Sequence, residues 1–316
     1  MNRIHTILAL AAVTILAGCG SANNTPAANP IQPFDPGALD GSAALEAVRK
    51  FVALGPRDSG TPGALKAAEY LRDQLRNAGI QADIDSFEDQ TVRGPITYHN
   101  VIGRLPGNGK NILLLGSHFD TKIGMAPAFE GANDSGSSTG LLLEMARVMA
   151  MQENTGADLW FVFFDGEECW KRYGTRDGLH GSRHMAEQLV REGLRNRVRA
   201  VIILDMIGDK DLTVTLPRNS TPELTAMVFD AARAEKARSH FSLYGLEVGD
   251  DHVPFMEAGM PAIDLIDFEY GSAPGRNDYW HTPEDTMDKL SAESLQIVGR
   301  VTLRLVNDLN AASAVP

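Results

Sequence analysis

Leu159, Trp160, Phe161, Val162, Phe163 and Phe164 form an unbroken apolar run, and Asp165, Gly166, Glu167 and Glu168 follow at once. A run of that kind suits a strand covered on both faces. Gly166 breaks it, and two adjacent carboxylates come next. In open α/β sheets, ligands sit just beyond the carboxyl ends of strands. Neighbouring carboxylates raise each other's pKa, so something must offset their repulsion. A metal ion does this, with one carboxylate as ligand and the other left as a base.

The rest of the chain supplies a sheet for that strand. Residues 43–54 and 63–78 read as helices. In the second, Leu65, Ala68, Leu71, Leu75 and Ala78 fall on one stripe, and Gly79 closes it. Residues 82–87, 98–105, 111–117, 200–205 and 262–266 read as further strands. Residues 136–151, 179–192, 221–237 and 292–309 read as further helices. Strand alternating with helix predicts a single α/β domain, with a mostly parallel, mixed and twisted central sheet flanked by helices.

The first residues read as an export signal. A basic start at Arg3 precedes an apolar stretch over 7–16 that is too short to span a membrane. Leu16, Ala17, Gly18 and Cys19 match the bacterial lipoprotein cleavage box, in which the cysteine becomes the lipidated first residue. The predicted organisation is a lipoprotein signal peptide over 1–18, a flexible tether over 19–41 and one globular domain over 42–313. The expected location is the cell envelope, exported and lipid-anchored on the periplasmic or outer-surface side, with the membrane contacted through the lipid alone. The net charge of -12 argues against nucleic acid as partner. It favours substrates that carry a positive group. With Cys19 lipidated, Cys169 has no cysteine left to pair with.

Polar residues cluster at the predicted strand ends. His118 and Asp120 end one strand, Glu167 and Glu168 the next, and Asp205 a third. Asp134 lies before a helix, Asp250, Asp251 and His252 before a helical turn, and His281 in a late loop. Parallel strands share a carboxyl edge, so the first groups converge by topology. Nitrogen and oxygen donors of this kind suit Zn²⁺ with an open position. Asp120, two residues from His118, is placed to hold the imidazole ring. His180 and His184 have the spacing of a helical metal pair but lack the glutamate of a zincin motif. Cys169 reads as a packing residue.

Taken in order, Ser117 to Asp120, Gly131 to Asp134, Phe164 to Glu168, Leu204 to Gly208, Asp250 to Phe255 and Trp280 to Thr282 resemble the zinc aminopeptidase and glutaminyl cyclase superfamily. The resemblance runs from about Gly55 to Asp285 and implies a zinc-exopeptidase-like fold. It is closer to the animal glutaminyl-peptide cyclotransferases. Residues 169–180 intervene between the Glu pair and Gly181, as in the cyclases, and Lys122, Tyr173 and Trp280 also match them. Asp264 stands where the animal enzymes tend to have a histidine, and Gly249 where a glutamine often precedes the Asp pair.

The resemblance implies two chemistries on one set of residues. As a cyclotransferase, the chain would hold one Zn²⁺ on Asp134, Glu168 and His281. Glu167 would carry protons, Asp205 and Asp250 would steady the leaving nitrogen, and Lys122, Tyr173 and Trp280 would bind substrate. The N-terminal Gln of a peptide or protein would become pyroglutamate with release of ammonia. As an aminopeptidase, it would hold two Zn²⁺, with Asp134 bridging, His118 and Asp205 completing the second site, and Glu167 activating water. A binding module without catalysis is disfavoured, because every ligand position and Glu167 are present.

Overall fold

The computed structural model describes residues 31–125, 129–154 and 156–313. The expected signal peptide, Cys19 and most of the expected tether lie outside the described residues.

The helices are α1 (Gly41–Val52), α2 (Pro62–Asn77), α3 (Ser138–Ala150), α4 (His180–Arg191), α5 (Pro222–Ala234), α6 (His252–Glu257) and α7 (Ala292–Ser313). The strands are β1 (Gln81–Thr91), β2 (Gly94–Leu105), β3 (Ile112–His118), β4 (Asp158–Phe164), β5 (Val198–Asp205), β6 (Val214–Pro217), β7 (Phe241–Tyr244) and β8 (Ala262–Ile266). They form one eight-stranded sheet in the order β1-β2-β4-β3-β5-β8-β6-β7. The four central strands β4, β3, β5 and β8 are parallel. On one flank β1 and β2 form an antiparallel pair, with β2 antiparallel to β4. On the other, β6 runs antiparallel to β8, with β7 parallel to β6.

Alternation across the sheet explains the apolar run that ends in acid. Phe161 and Phe163 enter the core shared with α1, α2, α3, α5 and α7. Val162 and Phe164 enter the opposite core, against Met185 and Leu189 of α4 and Phe255 of α6. Each face is therefore covered, and no polar position is tolerated until the strand ends. Local signals start the helices. Asp40 accepts from the amides of Ser42 and Ala43 at the head of α1, and Thr61 caps α2 with Pro62 in its first turn.

Two differences from the sequence expectation have physical causes. The packed chain begins before residue 42: Phe34 and Leu39 are buried in the main core. Asn307 of α7 exchanges two 2.8 Å hydrogen bonds with the Phe34 backbone. Gln296 accepts from Gly41 N and donates to Leu39 O, each at 2.6 Å. The tether composition hides two apolar anchors, and their backbone partners lie far along the chain. Strands β6 and β7 also escaped notice, because four residues carry too little periodicity to be read.

Candidate active site

The carboxyl ends of β3, β4 and β5 lie side by side and bring His118, the Glu167–Glu168 pair and Asp205 together. Gly166 makes the turn after β4, with φ of 81°. A Cβ there would sit 2.3 Å from the Tyr98 ring, so only glycine allows the chain to reverse at that point. The irregular turn 132–137 presents Asp134, and the loop before α7 returns His281.

Asp134 stands between two histidines. Its Oδ1 is 3.1 Å from His118 Nε2, and its Oδ2 is 3.2 Å from His281 Nε2. His281 Nε2 is also 2.9 Å from Glu168 Oε1, and His118 Nε2 is 3.3 Å from Asp205 Oδ1. Two groups of three donors result, Asp134–Glu168–His281 and His118–Asp134–Asp205. Within each, the donor atoms lie within 4.8 Å of one another. Asp134 Oδ2 is buried without a hydrogen bond of good geometry, which leaves its lone pairs available to a ligated ion. The nitrogen and oxygen donors fit zinc.

The charges are finely opposed. Burial works against an ionised Asp134, yet its two histidines hold the carboxyl well below the usual range. Burial likewise opposes a charged His281, but the carboxylates of Asp134 and Glu168 facing it hold its pKa up at about 9. Burial pushes Asp205 to about 7, with Asp250 and Asp134 adding to the rise and His118 opposing it. Glu167 is pushed well above the ordinary glutamate value by burial, and by Glu168, Asp250 and Asp251, against His118.

A cavity of about 150 Å³ opens over these groups. Asp134, Glu167, Asp205 and Asp250 contribute acid to it, and Tyr173, Tyr244, Phe268 and Trp280 wall it. Phe268 packs against both Tyr244 and Trp280, and Trp280 stacks on His281. Residues 169–180 are a folded loop: the Asp177 carboxylate accepts from the amides of Trp170, Lys171 and Arg172. That loop seats Tyr173, whose hydroxyl donates to Glu167 Oε1 at 2.8 Å.

Lys122 occupies a different position from the one expected. Its ammonium donates to Glu168 Oε2 at 3.0 Å and to the Cys169 carbonyl at 2.8 Å. It is absent from the cavity lining. Lys122 therefore orients a candidate ligand rather than contacting substrate. Asp120 faces His118 Nδ1 at 3.4 Å, without the angle of a hydrogen bond. Its carboxylate also accepts from the amides of Glu167 and Glu168, each at 3.2 Å, so it holds the acid pair as well as the ring. His180 and His184 bond to Asp89 and Asp85 and stack on Tyr98 and Phe87; among the described residues, neither belongs to a candidate metal group.

Sequence reasoning missed two supports. Asp285 accepts from the amides of Asn133 (2.7 Å) and Asp134 (3.1 Å) and from the Tyr270 hydroxyl (2.9 Å), which fixes the turn carrying Asp134. The fully buried Arg57 donates to the carbonyls of Phe119, Gly131, Glu130 and Gly55. It ties the segment after His118 to the one before Asp134. Four residues after His281, Asp285 carried a proximity signal; Arg57 carried none.

Comparison with known proteins agrees with this geometry. The family model described as Peptidase family M28 matches residues 100–306. A glutaminyl-peptide cyclotransferase of Drosophila melanogaster is 27% identical over 81% of this chain and 78% of its own length. A glutaminyl-peptide cyclotransferase-like protein of Bos taurus is 30% identical over 78% of this chain and 70% of its own length. The crystal structure of an Acidobacteriales bacterium glutaminyl cyclase superposes with a TM-score of 0.81 at 35% identity, covering 92% of this chain and all of that one. With its family model spanning most of the domain and its candidate ligands gathered at one sheet edge, the chain belongs to peptidase family M28, within the zinc aminopeptidase and glutaminyl cyclase superfamily.

Proposed function

We propose that the chain is a zinc-dependent glutaminyl-peptide cyclotransferase, converting the N-terminal Gln of peptides or proteins to pyroglutamate with release of ammonia. The observation that carries this reading is the 169–180 loop, which seats the Tyr173 hydroxyl on Glu167 while Lys122 holds the neighbouring Glu168. Similarity to the cyclases named above supports it.

Asp134, Glu168 and His281 would hold one zinc ion, which when bound supplies Lewis acidity to the side-chain amide carbonyl of the substrate. Glu167 takes a proton from the substrate's α-amine as that nitrogen bonds to the amide carbon. It returns the proton to the amide nitrogen as the old carbon–nitrogen bond breaks and ammonia leaves. Asp205 and Asp250 face the cavity and orient the leaving nitrogen. Tyr173, Tyr244, Phe268 and Trp280 keep the reaction dry, which matters because water would compete with the amine.

The His118–Asp134–Asp205 group favours one alternative, an aminopeptidase with a second zinc. Purified protein offered a Gln-initiated and a Leu-initiated peptide decides between them. Ammonia and an intact cyclised peptide, lost on chelation and restored by zinc, support the cyclase. Free amino acid from either peptide overturns it.

From the sequence we further propose export and lipid anchoring at Cys19. Incorporation of labelled palmitate that survives Cys19→Ala would refute the anchor.

A further inference from the structure

Asp250 has a second side. Beyond its place in the cavity wall it belongs to a buried group with His252, at the start of α6, and Asp264 of β8. Ala262, two residues before Asp264 on the same face of β8, packs with Phe255 of α6. The Asp264 carboxyl therefore points from the sheet towards the helix that carries His252. His252 and Asp264 are 0% exposed and Asp250 is 2% exposed.

These side chains lack the partners that burial demands. Both ring nitrogens of His252, both carboxylate oxygens of Asp264 and Oδ2 of Asp250 are buried without a hydrogen bond. The single ion-pair contact of the three, among the described residues, is His252 Nδ1 to Asp264 Oδ2 at 3.9 Å. That is too long for a hydrogen bond. It is a natural spacing for two ligands of one ion, since donors each about 2.0–2.2 Å from a metal lie about 3–4 Å apart. One donor atom from each of the three residues falls within 4.8 Å of the others. A shared proton would satisfy carboxylate oxygens but would leave the imidazole unpartnered. A cation accepts the lone pair of a neutral imidazole and both carboxylates together.

We propose that Asp250, His252 and Asp264 form a second metal site, for a divalent transition-metal ion such as zinc or manganese. It shares no residue with the two donor groups around Asp134. Burial lowers the His252 pKa against the pull of Asp250, which keeps the ring in its neutral, ligating form. Burial and the neighbouring Asp250, Asp205 and Asp251 push the Asp264 carboxyl far up, a penalty that a bound cation removes. The ion would also pin the Asp250 carboxylate, and so make Asp264 and His252 positioning residues for the cavity wall.

The full chain, stripped with chelator, is loaded with excess Zn²⁺ or Mn²⁺, freed of unbound metal and assayed for metal per chain by mass spectrometry. Wild type should hold one more ion than Asp264→Asn with at least one of the metals. Glu168→Gln should lose a different ion, so that the double variant loses both. Anomalous scattering from metal-soaked wild-type crystals should place a peak on His252, a readout that stands even if Asp264→Asn fails to fold. Equal metal content in wild type and Asp264→Asn overturns the proposal. So does anomalous density confined to the Asp134 groups, which would mean that shared protons hold the cluster. Cyclisation of Gln-peptides is scored separately, so loss of this site and failure of the cyclase assignment are told apart.

Discussion

Replacing Glu167 by Gln removes the proposed base and leaves the shape. The side chain is 5% exposed, and its Oε1 accepts the Tyr173 hydroxyl at 2.8 Å. The amide oxygen of Gln can keep that bond. What it cannot do is accept and return a proton. A positioned general base contributes about 10²–10⁴-fold, or about 3–5 kcal/mol on the barrier. Glu167→Gln should therefore lower kcat for ammonia release from a Gln-initiated peptide by that factor. Zinc should stay bound, because Asp134, Glu168 and His281 are untouched. Glu168→Gln should behave in the opposite order and lose zinc first, since it replaces the carboxylate bonded to His281 and Lys122. A pH profile adds an independent check. Glu167 must be ionised to act, so the wild-type rate falls as pH drops through its raised pKa. A cation held nearby by Glu168 brings that pKa down from its metal-free position. The acid limb should disappear in Glu167→Gln. A variant within tenfold of wild type, or one that keeps the same acid limb, would refute Glu167 as the base.

Tyr173→Phe removes a hydrogen bond to the ionised form of Glu167, worth about 1.5–3 kcal/mol. It should cut kcat about tenfold or more and move the acid limb to higher pH, with zinc content unchanged. An acid limb that stays in place would contradict this role. Arg57→Met strips the donor from four carbonyls around the site. It should cost roughly 3 kcal/mol, read from urea unfolding of the zinc-loaded protein; a loss below about 1 kcal/mol would refute the support assigned to Arg57. Zinc binding must remove the proton that Asp134 and Glu168 hold on His281 up to about pH 9. Competition titrations should show zinc affinity rising with pH from 7 towards 9 and levelling above it, whereas a flat profile would refute the protonated imidazole.

The legible part of this protein is the part fixed by period and topology. A strand buried on both faces reads as an apolar run, and its end is marked by the first residue that cannot be buried alone. That logic found β3, β4, β5 and β8 and the groups at their carboxyl ends. It could not assign Lys122, which only the resemblance suggested as a substrate contact; its 3.0 Å bond to Glu168 places it on a candidate ligand. It could not find Arg57, whose bonds run to carbonyls as far as 74 residues away, in loops with no period of their own. It placed the start of the packed chain too late, because the anchors of Phe34 lie on α7.

The geometry also sharpens the difference between the two acids of the pair. Glu168 is flanked by two cationic groups, Lys122 and His281. Asp134 is likewise flanked by His118 and His281. Glu167 makes no ion pair among the described residues; its Oε1 has a phenol for partner, and burial and its acidic neighbours raise its pKa. Carboxylates held between cationic groups are placed to serve as ligands. The acid without an ion-pair partner, its pKa pushed up by burial and by its acidic neighbours, is the one placed to exchange a proton. The proposed ligand and the proposed base are thus separated by what each carboxylate touches, although they are adjacent in sequence and alike in chemistry.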